Sequence, residues 1–342
     1  MTTAVAERQD DPRWVAVRRI ALATYAIVLA ISVKEVGVPI GHDTVLLWAG
    51  AGLLCACIGR PWRSIPQLLI DWVPFVAVVI AYDYSRAWAD TAGFGVHYTP
   101  QITADKLLFF GHVPTEWLET HLYHTRLVPV FTGDGFGISV QATGHVHWYE
   151  VLFDVTYVTH YLASFVLAGV LWVRARARFQ WYARRFCLLS AMGFVTYVLF
   201  PAAPPWLAAQ DGYLSSTVGR VGGRGFSLLH LDVVRNAIED GSKLTNFVAA
   251  VPSLHAGFAT LVVITLWRSV PRWVRPILAL YPALMGLTLV ATGEHYVIDI
   301  LLGVAYAFAA CAIWNVVERW WTARRDAAKG DVSPRSEVPL PV

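Results

Sequence analysis

Charged residues are scarce in this sequence. Asp, Glu, Lys and Arg make up 15% of its 342 residues, whereas a soluble globular protein usually carries about 25%. Hydrophobic residues fill 56% of the chain, aromatic residues 13%, and the mean hydropathy is +0.49. This composition excludes an ordinary soluble domain and predicts a chain that crosses a membrane several times.

Cysteine is also scarce, and its four positions carry no pattern. Cys55, Cys57, Cys187 and Cys311 all lie inside apolar runs, without zinc-type spacing, so we interpret them as small core residues rather than disulfides or metal ligands. The net charge is only +3, and the basic residues form short clusters rather than one stripe, which argues against a nucleic-acid partner. Phosphate-binding loops, dinucleotide fingerprints and nucleophile elbows are missing too, so we expect no metal and no cofactor.

Apolar runs long enough to cross a bilayer, which takes about 20 residues, recur along the chain. They predict an all-α, polytopic transmembrane bundle with about eight spans, near residues 17–38, 43–59, 66–86, 150–173, 183–201, 252–269, 274–292 and 296–317. We expect the first run to be a retained helix rather than a signal peptide. Pro74 and Pro282 lie inside spans and predict kinks rather than ends. The spans form one domain over residues 14–322, with disordered cytoplasmic ends at 1–13 and 323–342.

The basic residues support eight spans with both ends in the cytoplasm. With that topology, 19 of the 27 basic residues fall in the cytoplasmic segments 1–19, 60–65, 174–185, 268–275 and 318–342. The outer segments are longer but hold the remaining eight, which are Lys34, Arg86, Lys106, Arg126, Arg220, Arg224, Arg235 and Lys243. This asymmetry follows the positive-inside rule.

Two long segments, residues 87–149 and 202–251, then face outward. The first contains six of the eleven histidines. Its residues 115–123 alternate apolar and polar side chains behind Thr115, which predicts a threonine-capped helix in the membrane interface. This segment could be a packed lid or a gate for substrate. The second segment is rich in glycine around Arg220 and Arg224, and a loop of this length is usually functional or mobile.

His295 and Asp299 stand four residues apart at the start of the last apolar run. On a helix that spacing places both side chains on one face. A carboxylate beside an imidazole fixes its tautomer and stabilises its charged form, which leaves the other ring nitrogen ready for attack or proton transfer. The alternative is a buried pair that only ties helices together.

His255 begins another apolar run. Pro252 and Ser253 suit the first turn and the cap of a helix, so His255 would lie in its opening turn, beside amide groups that attract anions. The predicted topology places His255, His295 and Asp299 at one membrane level. That agreement favours a single catalytic site over separate structural pairs.

The motifs that carry these residues resemble a known family. Residues 251–257, Val-Pro-Ser-Leu-His-Ala-Gly, and 293–303, Gly-Glu-His-Tyr-Val-Ile-Asp-Ile-Leu-Leu-Gly, resemble two signatures of the type 2 phosphatidic acid phosphatase (PAP2) superfamily. The sequence is most similar to its inositol phosphorylceramide synthase-like branch, which Phe200–Trp206 and Thr159–Tyr161 also resemble. The resemblance covers about residues 150–315 and implies a six-helix PAP2-like core over residues 150–317.

The resemblance implies a covalent mechanism. His295 would attack phosphorus and form a phosphohistidine, Asp299 would orient His295, and His255 would protonate the leaving alkoxide. Water or an alcohol would then accept the phosphoryl group. Splitting one difficult displacement into two easier steps is the general benefit of nucleophilic catalysis.

The family's basic phosphate clamp is missing from its usual positions. Lys106 is followed at the matching offset by Val113 rather than arginine, and Leu289 stands where many members carry an arginine. A phosphodiester carries less charge than a phosphomonoester, so this departure favours a headgroup transferase. The substitute cations we consider are Arg86, Lys243 and Arg126, each of which could equally be a solvated loop charge.

Other candidate substrate contacts are Ser253, His160 and Tyr161. An ionisable side chain within a span is costly and suggests function, although His160 could simply hydrogen-bond Tyr161 or a neighbouring helix. Asp154 and Tyr157 lie nearby in the same span.

The sequence therefore predicts a metal-independent lipid phosphotransferase or phosphatase. Its substrate would be a lipid in the bilayer with a phosphoinositol- or polyprenyl-phosphate-type headgroup, handled at the outer face of a bacterial plasma membrane. The alternatives are a lipid phosphate monoester phosphatase and a non-catalytic lipid-binding or transport protein with the same fold. Protein partners are not predicted.

Overall fold

The computed structural model describes residues 11–37, 42–91, 94–132, 135–142, 144–236 and 247–330. Helices dominate this part of the chain. In chain order they are α1 (Pro12–Glu35), α2 (His42–Cys57), α3 (Ser64–Thr91), α4 (Thr99–Leu108), α5 (Pro114–Leu122), α6 (Trp148–Arg174), α7 (Arg176–Leu199), α8 (Pro205–Gln210), α9 (Leu254–Leu266), α10 (Arg275–Ala291) and α11 (Val297–Gly330). A hairpin of β1 (Thr125–Thr132) and β2 (Gly135–Ala142) precedes α6, and a 3₁₀ helix spans Arg224–Leu229.

Each of the eight predicted spans is a helix, which confirms a helical, polytopic membrane protein. Within the described residues, three segments are long and apolar enough to cross a membrane alone, namely α1, Ser64–Tyr82 of α3 and Val297–Ala327 of α11. A fourth is α6, whose halves Trp148–His160 and Leu162–Arg174 meet at an angle of 51°. The apolar helices at α2, α9 and α10 are shorter, and α7 begins in an arginine-rich stretch.

The prolines inside helices do not end them. α3 continues through Pro74 and α10 through Pro282, as predicted, because neighbouring helices can accommodate the lost hydrogen bond. A bend of 51° lies between the halves of α6, next to His160, while kinks at the two prolines stay predictions. The sequence has no proline in α6 to predict this bend.

The centre of the bundle is α9, which contacts α6, α7, α10 and α11. Nine of its thirteen residues are buried. On the other side of α7, aromatic rings of α3 and α7 pack together, with the centroids of Phe75 and Phe186 4.9 Å apart. α1 has no buried residue and packs on α2, so most of its apolar surface is left for lipid.

A buried ion pair joins α7 to α11 at the end of the bundle far from the two histidine motifs. The fully buried Arg185 donates to Glu318 at 2.9 Å and to Asn315 at 2.6 Å. Its guanidinium also lies 3.9 Å from the ring centre of Trp181. These contacts satisfy a charge that would otherwise be very costly to bury.

The segments between α3 and α6 and between α7 and α9 together cover one end of the bundle, and we call them the cap. Backbone hydrogen bonds join them: the His97 amide donates to Pro201 at 2.8 Å, and Ala203 donates back to His97 at 3.0 Å. The hairpin in the cap was not predicted. The predicted cap helix is present as α5, but it begins at Pro114 with Val113 at its N-cap, so Thr115 is buried inside it rather than capping it.

The helical region extends further at both ends than predicted. α1 begins at Pro12, and Asp11 caps it by accepting the Arg13 amide at 2.9 Å. α11 continues to Gly330, so residues 323–330 are helical rather than part of a disordered tail. The predictions for residues 1–10 and 331–342 lie outside the described residues.

Candidate active site

The N-terminal ends of α9 and α11 touch at the cap end of the bundle. The Ser253 amide donates to the Asp299 carbonyl at 3.0 Å. A Cβ atom on Gly303 would stand 2.1 Å from the Ser253 carbonyl oxygen, and one on Gly257 would stand 3.2 Å from that of Gly303. The two helices can therefore cross this closely only because neither glycine has a side chain. This crossing brings together motifs 40 residues apart in sequence.

The start of α9 is close to the prediction. Ser253 is its N-cap, and the serine hydroxyl accepts the Ala256 amide at 3.4 Å. Pro252 precedes this cap rather than lying in the first turn, and His255 is the second residue of the helix. Ser253 is fully buried, and its hydroxyl accepts an amide in the capping bond while keeping its own proton to donate. Its contact with substrate stays a prediction.

His295 and Asp299 are neighbours, but they do not share a helix face. His295 lies in the turn before α11, whereas Asp299 is in the first turn of the helix. The Asp299 carboxylate accepts the Tyr296 amide at 2.9 Å and lies 3.4 Å from His295 Nδ1. Asp299 thus bonds back to the residue before the helix, as the third residue of a capping box does. This capping interaction also holds the imidazole of His295 beside the Asp299 carboxylate.

The two motif histidines face each other. The ring centroids of His255 and His295 are 5.5 Å apart, with planes inclined by 66°. His255 is partly exposed, His295 is 5% exposed and Asp299 is fully buried. The predicted convergence of these residues is therefore present in the geometry, with one imidazole held by a carboxylate and a second imidazole opposite it.

His160 joins this group from α6. Its ring centroid is 3.8 Å from that of His255. The ring of Tyr157, which is also on α6, lies 5.5 Å from the His255 ring. The bend of α6 falls at this residue, so His160 terminates the half of the helix that faces the cap. A substrate contact or a proton-transfer role for His160 stays a prediction. Tyr161 lies in α6, but its side chain is outside the part of the protein that the structure describes.

Asp105 is a positioning residue that no sequence motif predicted. It lies in α4, is fully buried, and accepts the amides of Val297 at 3.0 Å and Ile298 at 2.9 Å. Burial raises the pKa of Asp105, and the two amide bonds oppose this change. Asp105 and Asp299 together satisfy amides at the start of α11 that would otherwise have no partner. The cap therefore fixes the turn that carries His295.

Other buried carboxylates hold the glycine-rich segment against the bundle. Asp154 of α6 accepts the amides of Gly223 at 2.8 Å and Gly225 at 2.6 Å. Glu119 of α5 is fully buried and accepts the Gly219 amide at 2.8 Å. Burial, opposed by that amide and assisted by the nearby Glu294 charge, raises the pKa of Glu119 to about 9, so this side chain is protonated at neutral pH.

Arg220 is a cation bonded to Glu294, the residue before His295. Its Nε and Nη2 donate to the Glu294 carboxylate at 2.5 and 3.2 Å, and its guanidinium lies 5.6 Å from the Trp206 ring centre. Its place in the glycine-rich loop does not by itself identify it as a phosphate-binding cation.

The three cations predicted to bind phosphate, Arg86, Arg126 and Lys243, cannot be placed at the site. Lys243 lies outside the described residues. Arg86 belongs to α3 and Arg126 to β1, but their side chains lie outside the described ones. All three therefore stay predictions. In the described part of the chain, no group of three or more His, Cys, Asp or Glu residues is arranged to hold a metal ion.

The fold and this site define a class: a helical membrane protein with two facing imidazoles and a carboxylate at one end of its bundle. The model of the PAP2 superfamily matches residues 134–313, slightly more than half of the chain. The matched region includes His255, His295 and Asp299. The protein belongs to the PAP2 superfamily. The matched region begins at residue 134, earlier than the core predicted from residue 150.

Curated relatives narrow the class further. The chain is 26% identical over 300 residues to the phosphoinositol dihydroceramide synthase of Bacteroides thetaiotaomicron, covering 82% of this chain and 86% of that protein. It is 29% identical over 163 residues to the inositol phosphorylceramide synthase catalytic subunit of Schizosaccharomyces pombe, covering 46% of this chain and 38% of the fungal protein. The corresponding subunit of Saccharomyces cerevisiae is 26% identical over 181 residues, 51% of this chain and 44% of that one.

These matches identify an integral membrane enzyme, a PAP2-type lipid phosphotransferase. They confirm the predicted superfamily and its inositol phosphorylceramide synthase-like branch. The match to the fungal relatives spans less than half of their length. No solved structure matches the chain.

Proposed function

We propose that the protein transfers a phosphoinositol-type headgroup from a donor lipid to the hydroxyl group of an acceptor lipid at the outer face of a bacterial plasma membrane. The observation that carries this proposal is the facing pair His255 and His295, 5.5 Å apart with Asp299 beside the second ring. The long match to a phosphoinositol dihydroceramide synthase supports the substrate class. A polyprenyl-phosphate-type donor is the second candidate for the same chemistry.

In the first step, His295 attacks phosphorus. Its Nδ1 faces the Asp299 carboxylate at 3.4 Å, which favours a proton on that nitrogen and leaves the lone pair on Nε2. A nitrogen–phosphorus bond forms, and the bond from phosphorus to the donor lipid's oxygen breaks. His255, in its protonated form, gives a proton to that oxygen, so the lipid part of the donor leaves as a neutral alcohol. General acid catalysis of this kind typically contributes about 10²–10⁴-fold.

In the second step, His255 reverses its role. It takes the proton from the acceptor's hydroxyl group as the oxygen attacks phosphorus, and the bond to His295 breaks. The headgroup then sits on the acceptor lipid, and both histidines are back in their initial state. No water is consumed in this exchange. If water replaced the acceptor alcohol, the same steps would release the headgroup phosphate by hydrolysis.

We propose Arg220 as the cation that binds the substrate's phosphate. Its guanidinium is bonded to Glu294, the residue before His295, so it is held beside the catalytic turn. A phosphodiester has a single negative charge, which one arginine can match. Arg220 would thus take the place of the arginines missing from the usual family positions.

A transfer assay in vesicles tests the proposal. The purified protein is reconstituted with a phosphoinositol lipid carrying labelled phosphorus and with ceramide or diacylglycerol as acceptor. We expect label on the acceptor lipid, and loss of turnover by at least about 10³-fold in His295→Ala and His255→Ala. His121→Ala, which removes an exposed histidine of α5, is the matched control and should retain activity. Near-normal transfer by either site variant would refute the assigned roles.

The same assay distinguishes the rival functions. A monoester phosphatase would release inorganic phosphate from a phosphatidate-type lipid and would ignore the acceptor. A non-catalytic binding or transport protein would retain the lipid without forming a covalent bond. Rapid quenching with labelled donor in the absence of acceptor should trap acid-labile phosphorus on the wild-type chain and not on His295→Ala. Failure to trap it in an active preparation would count against the phosphohistidine.

A further inference from the structure

The end of α4 and the turn that follows it form an exposed apolar surface in the cap, and we call it the apolar tip. It consists of four consecutive residues, Leu107, Leu108, Phe109 and Phe110, which are 79%, 47%, 38% and 95% exposed. None of these residues belongs to the segments that qualify as membrane-crossing. Consecutive exposed apolar residues outside a span indicate a surface that something covers.

The backbone holds the apolar tip in one conformation. The Phe109 amide donates to the Asp105 carbonyl at 2.9 Å, and the Gly111 amide donates to Lys106 at 2.7 Å, which closes the end of α4. Phe110 and Gly111 both have left-handed backbones, with φ of 53° and 93°. Phenylalanine rarely adopts this conformation, and here it directs the ring away from the cap.

The position of α4 sets the level of the apolar tip relative to the membrane. Asp105 bonds to the amides of Val297 and Ile298, the first two residues of the membrane-crossing stretch of α11. The tip begins two residues after Asp105 on the opposite face of α4, whose buried residues are Gln101, Ile102 and Asp105. Phe110, the far end of the tip, is only five residues from Asp105 in the chain, so the whole tip lies close to the residues with which the apolar stretch of α11 begins. The polar interface of a bilayer is about 6 Å thick on each side, so a cap segment this close to the start of a span can reach it.

We propose that the apolar tip inserts into the lipid leaflet on the side of the membrane that holds the active site. Its four apolar side chains would enter the boundary between headgroups and acyl chains, and the exposed Lys106 just before them would meet lipid phosphates. The leaflet is favoured over a protein partner because the same helix that carries the tip is bonded to the first turn of a membrane span.

This insertion would anchor the cap from two sides. One face of α4 holds the turn that carries His295, through Asp105, and the other face would hold lipid. The height of the cap above the bilayer would therefore be tied to the position of the catalytic histidine. This inference concerns membrane contact and does not depend on the reaction proposed above.

Fluorescence quenching tests the insertion directly. Phe110→Cys and, as a control, Thr120→Cys on the exposed face of α5 are each labelled with an environment-sensitive thiol dye in the full chain and reconstituted in phosphatidylcholine vesicles. The parent chain, treated in parallel, corrects for the four native cysteines. Nitroxides attached to lipid acyl chains and aqueous iodide serve as the two quenchers.

We expect the lipid nitroxides to quench the dye at position 110 at least about threefold more strongly than the dye at position 120, with the order reversed for iodide. Equal quenching of both dyes by iodide would overturn the proposal, because the tip would then be in water. A dye at position 110 that neither quencher reaches would also overturn it, because a protein surface rather than lipid would cover the tip.

Discussion

At the scale of single residues, the carboxylates around the site divide by what they touch. Asp105, Glu119 and Asp154 accept backbone amides and hold the cap in place. Asp299 also accepts an amide, but its carboxylate lies beside an imidazole as well. Burial alone would not separate them, since all four are buried. The neighbouring ring is what makes Asp299 the candidate for catalysis.

Arg220→Ala should weaken donor binding. A charge-assisted hydrogen bond contributes about 1.5–3 kcal/mol, so we expect kcat/KM for the donor lipid to fall by about 10–100-fold, mainly through KM. Arg224→Ala is the matched control, since Arg224 lies 3.6 Å from Glu150 and donates to the Gly144 carbonyl instead. Steady-state kinetics in mixed micelles would measure both variants.

A purely structural Arg220 would give a different pattern. Its loss and Glu294→Gln would then lower the melting temperature and kcat together, because each breaks the same ion pair. An unchanged donor KM in Arg220→Ala would contradict the phosphate-binding role.

Glu119 should make the protein less stable at alkaline pH. Its pKa is about 9 in the folded chain against an ordinary value of 4.5, so folding favours the protonated form. The free energy of unfolding should therefore fall as pH rises from about 4.5 to about 9, by at most about 1.4 kcal/mol per pH unit. Glu119→Gln stays neutral and should flatten this part of the pH profile of the melting temperature.

The control for that experiment is Glu116→Gln on the same helix. Glu116 is partly exposed and accepts the Ser215 amide at 2.9 Å. This variant should keep the wild-type decline between pH 6 and pH 9. Parallel profiles for wild type and Glu119→Gln would show that the buried carboxyl does not contribute the titration.

At the scale of helices, the site depends on how closely α9 and α11 cross. The last residue of each histidine motif, Gly257 or Gly303, sets this distance by leaving room for backbone contact. The amide of Ser253 then bonds directly to the carbonyl of Asp299. The small residues four positions after Ser253 and Asp299 are thus part of the site without touching substrate.

Gly303→Ala should separate these helices. The new Cβ would stand 2.1 Å from the Ser253 carbonyl oxygen, a distance that backbone atoms can relieve only by moving apart. We expect a lower melting temperature and at least about tenfold lower turnover, since small misplacements of catalytic groups are costly. Gly50→Ala in α2, where no atom lies within 4 Å, should leave activity unchanged. Full activity in Gly303→Ala would show that the crossing tolerates a wider separation.

Helix identity and the candidate trio of His255, His295 and Asp299 could be recognised from sequence because their signals are local, although the catalytic role of the trio stays a prediction. Apolar runs define helices, and Ser253 signals the start of α9 by its capping chemistry. The contacts of Asp105 with Val297 and Ile298 could not be predicted, because 192 and 193 residues separate the partners. The hairpin had a local sequence signal in its β-branched residues and in the dipeptide Gly133-Asp134, but the apolar composition of the chain favours helices.

At the scale of the whole molecule, the helix at the centre of the bundle is the shortest of the eight that match the predicted spans. α9 has 13 residues and α10 has 17, while α11 has 34. A length criterion alone recognises three or four crossings, because it assumes that each helix meets lipid on its own. α9 is surrounded by four other helices, so protein rather than lipid surrounds much of its length.

The orientation of the bundle gives a test at this scale. The positive-inside distribution predicts that the cap faces outward and that the loop between α9 and α10 faces the cytoplasm. In intact cells, a membrane-impermeant maleimide should label Thr120→Cys and should label Arg272→Cys only after permeabilisation. Both positions are exposed, so access depends on the membrane alone. The reverse pattern would place the site on the cytoplasmic side.

The cap contains no cysteine, since all four lie in the helices α2, α7 and α11. Buried carboxylates that accept backbone amides hold it together instead. The cap can therefore assemble without an oxidant, wherever its surface finally lies. Cell-free synthesis into liposomes in the presence of dithiothreitol should yield enzyme as active as that made without the reductant.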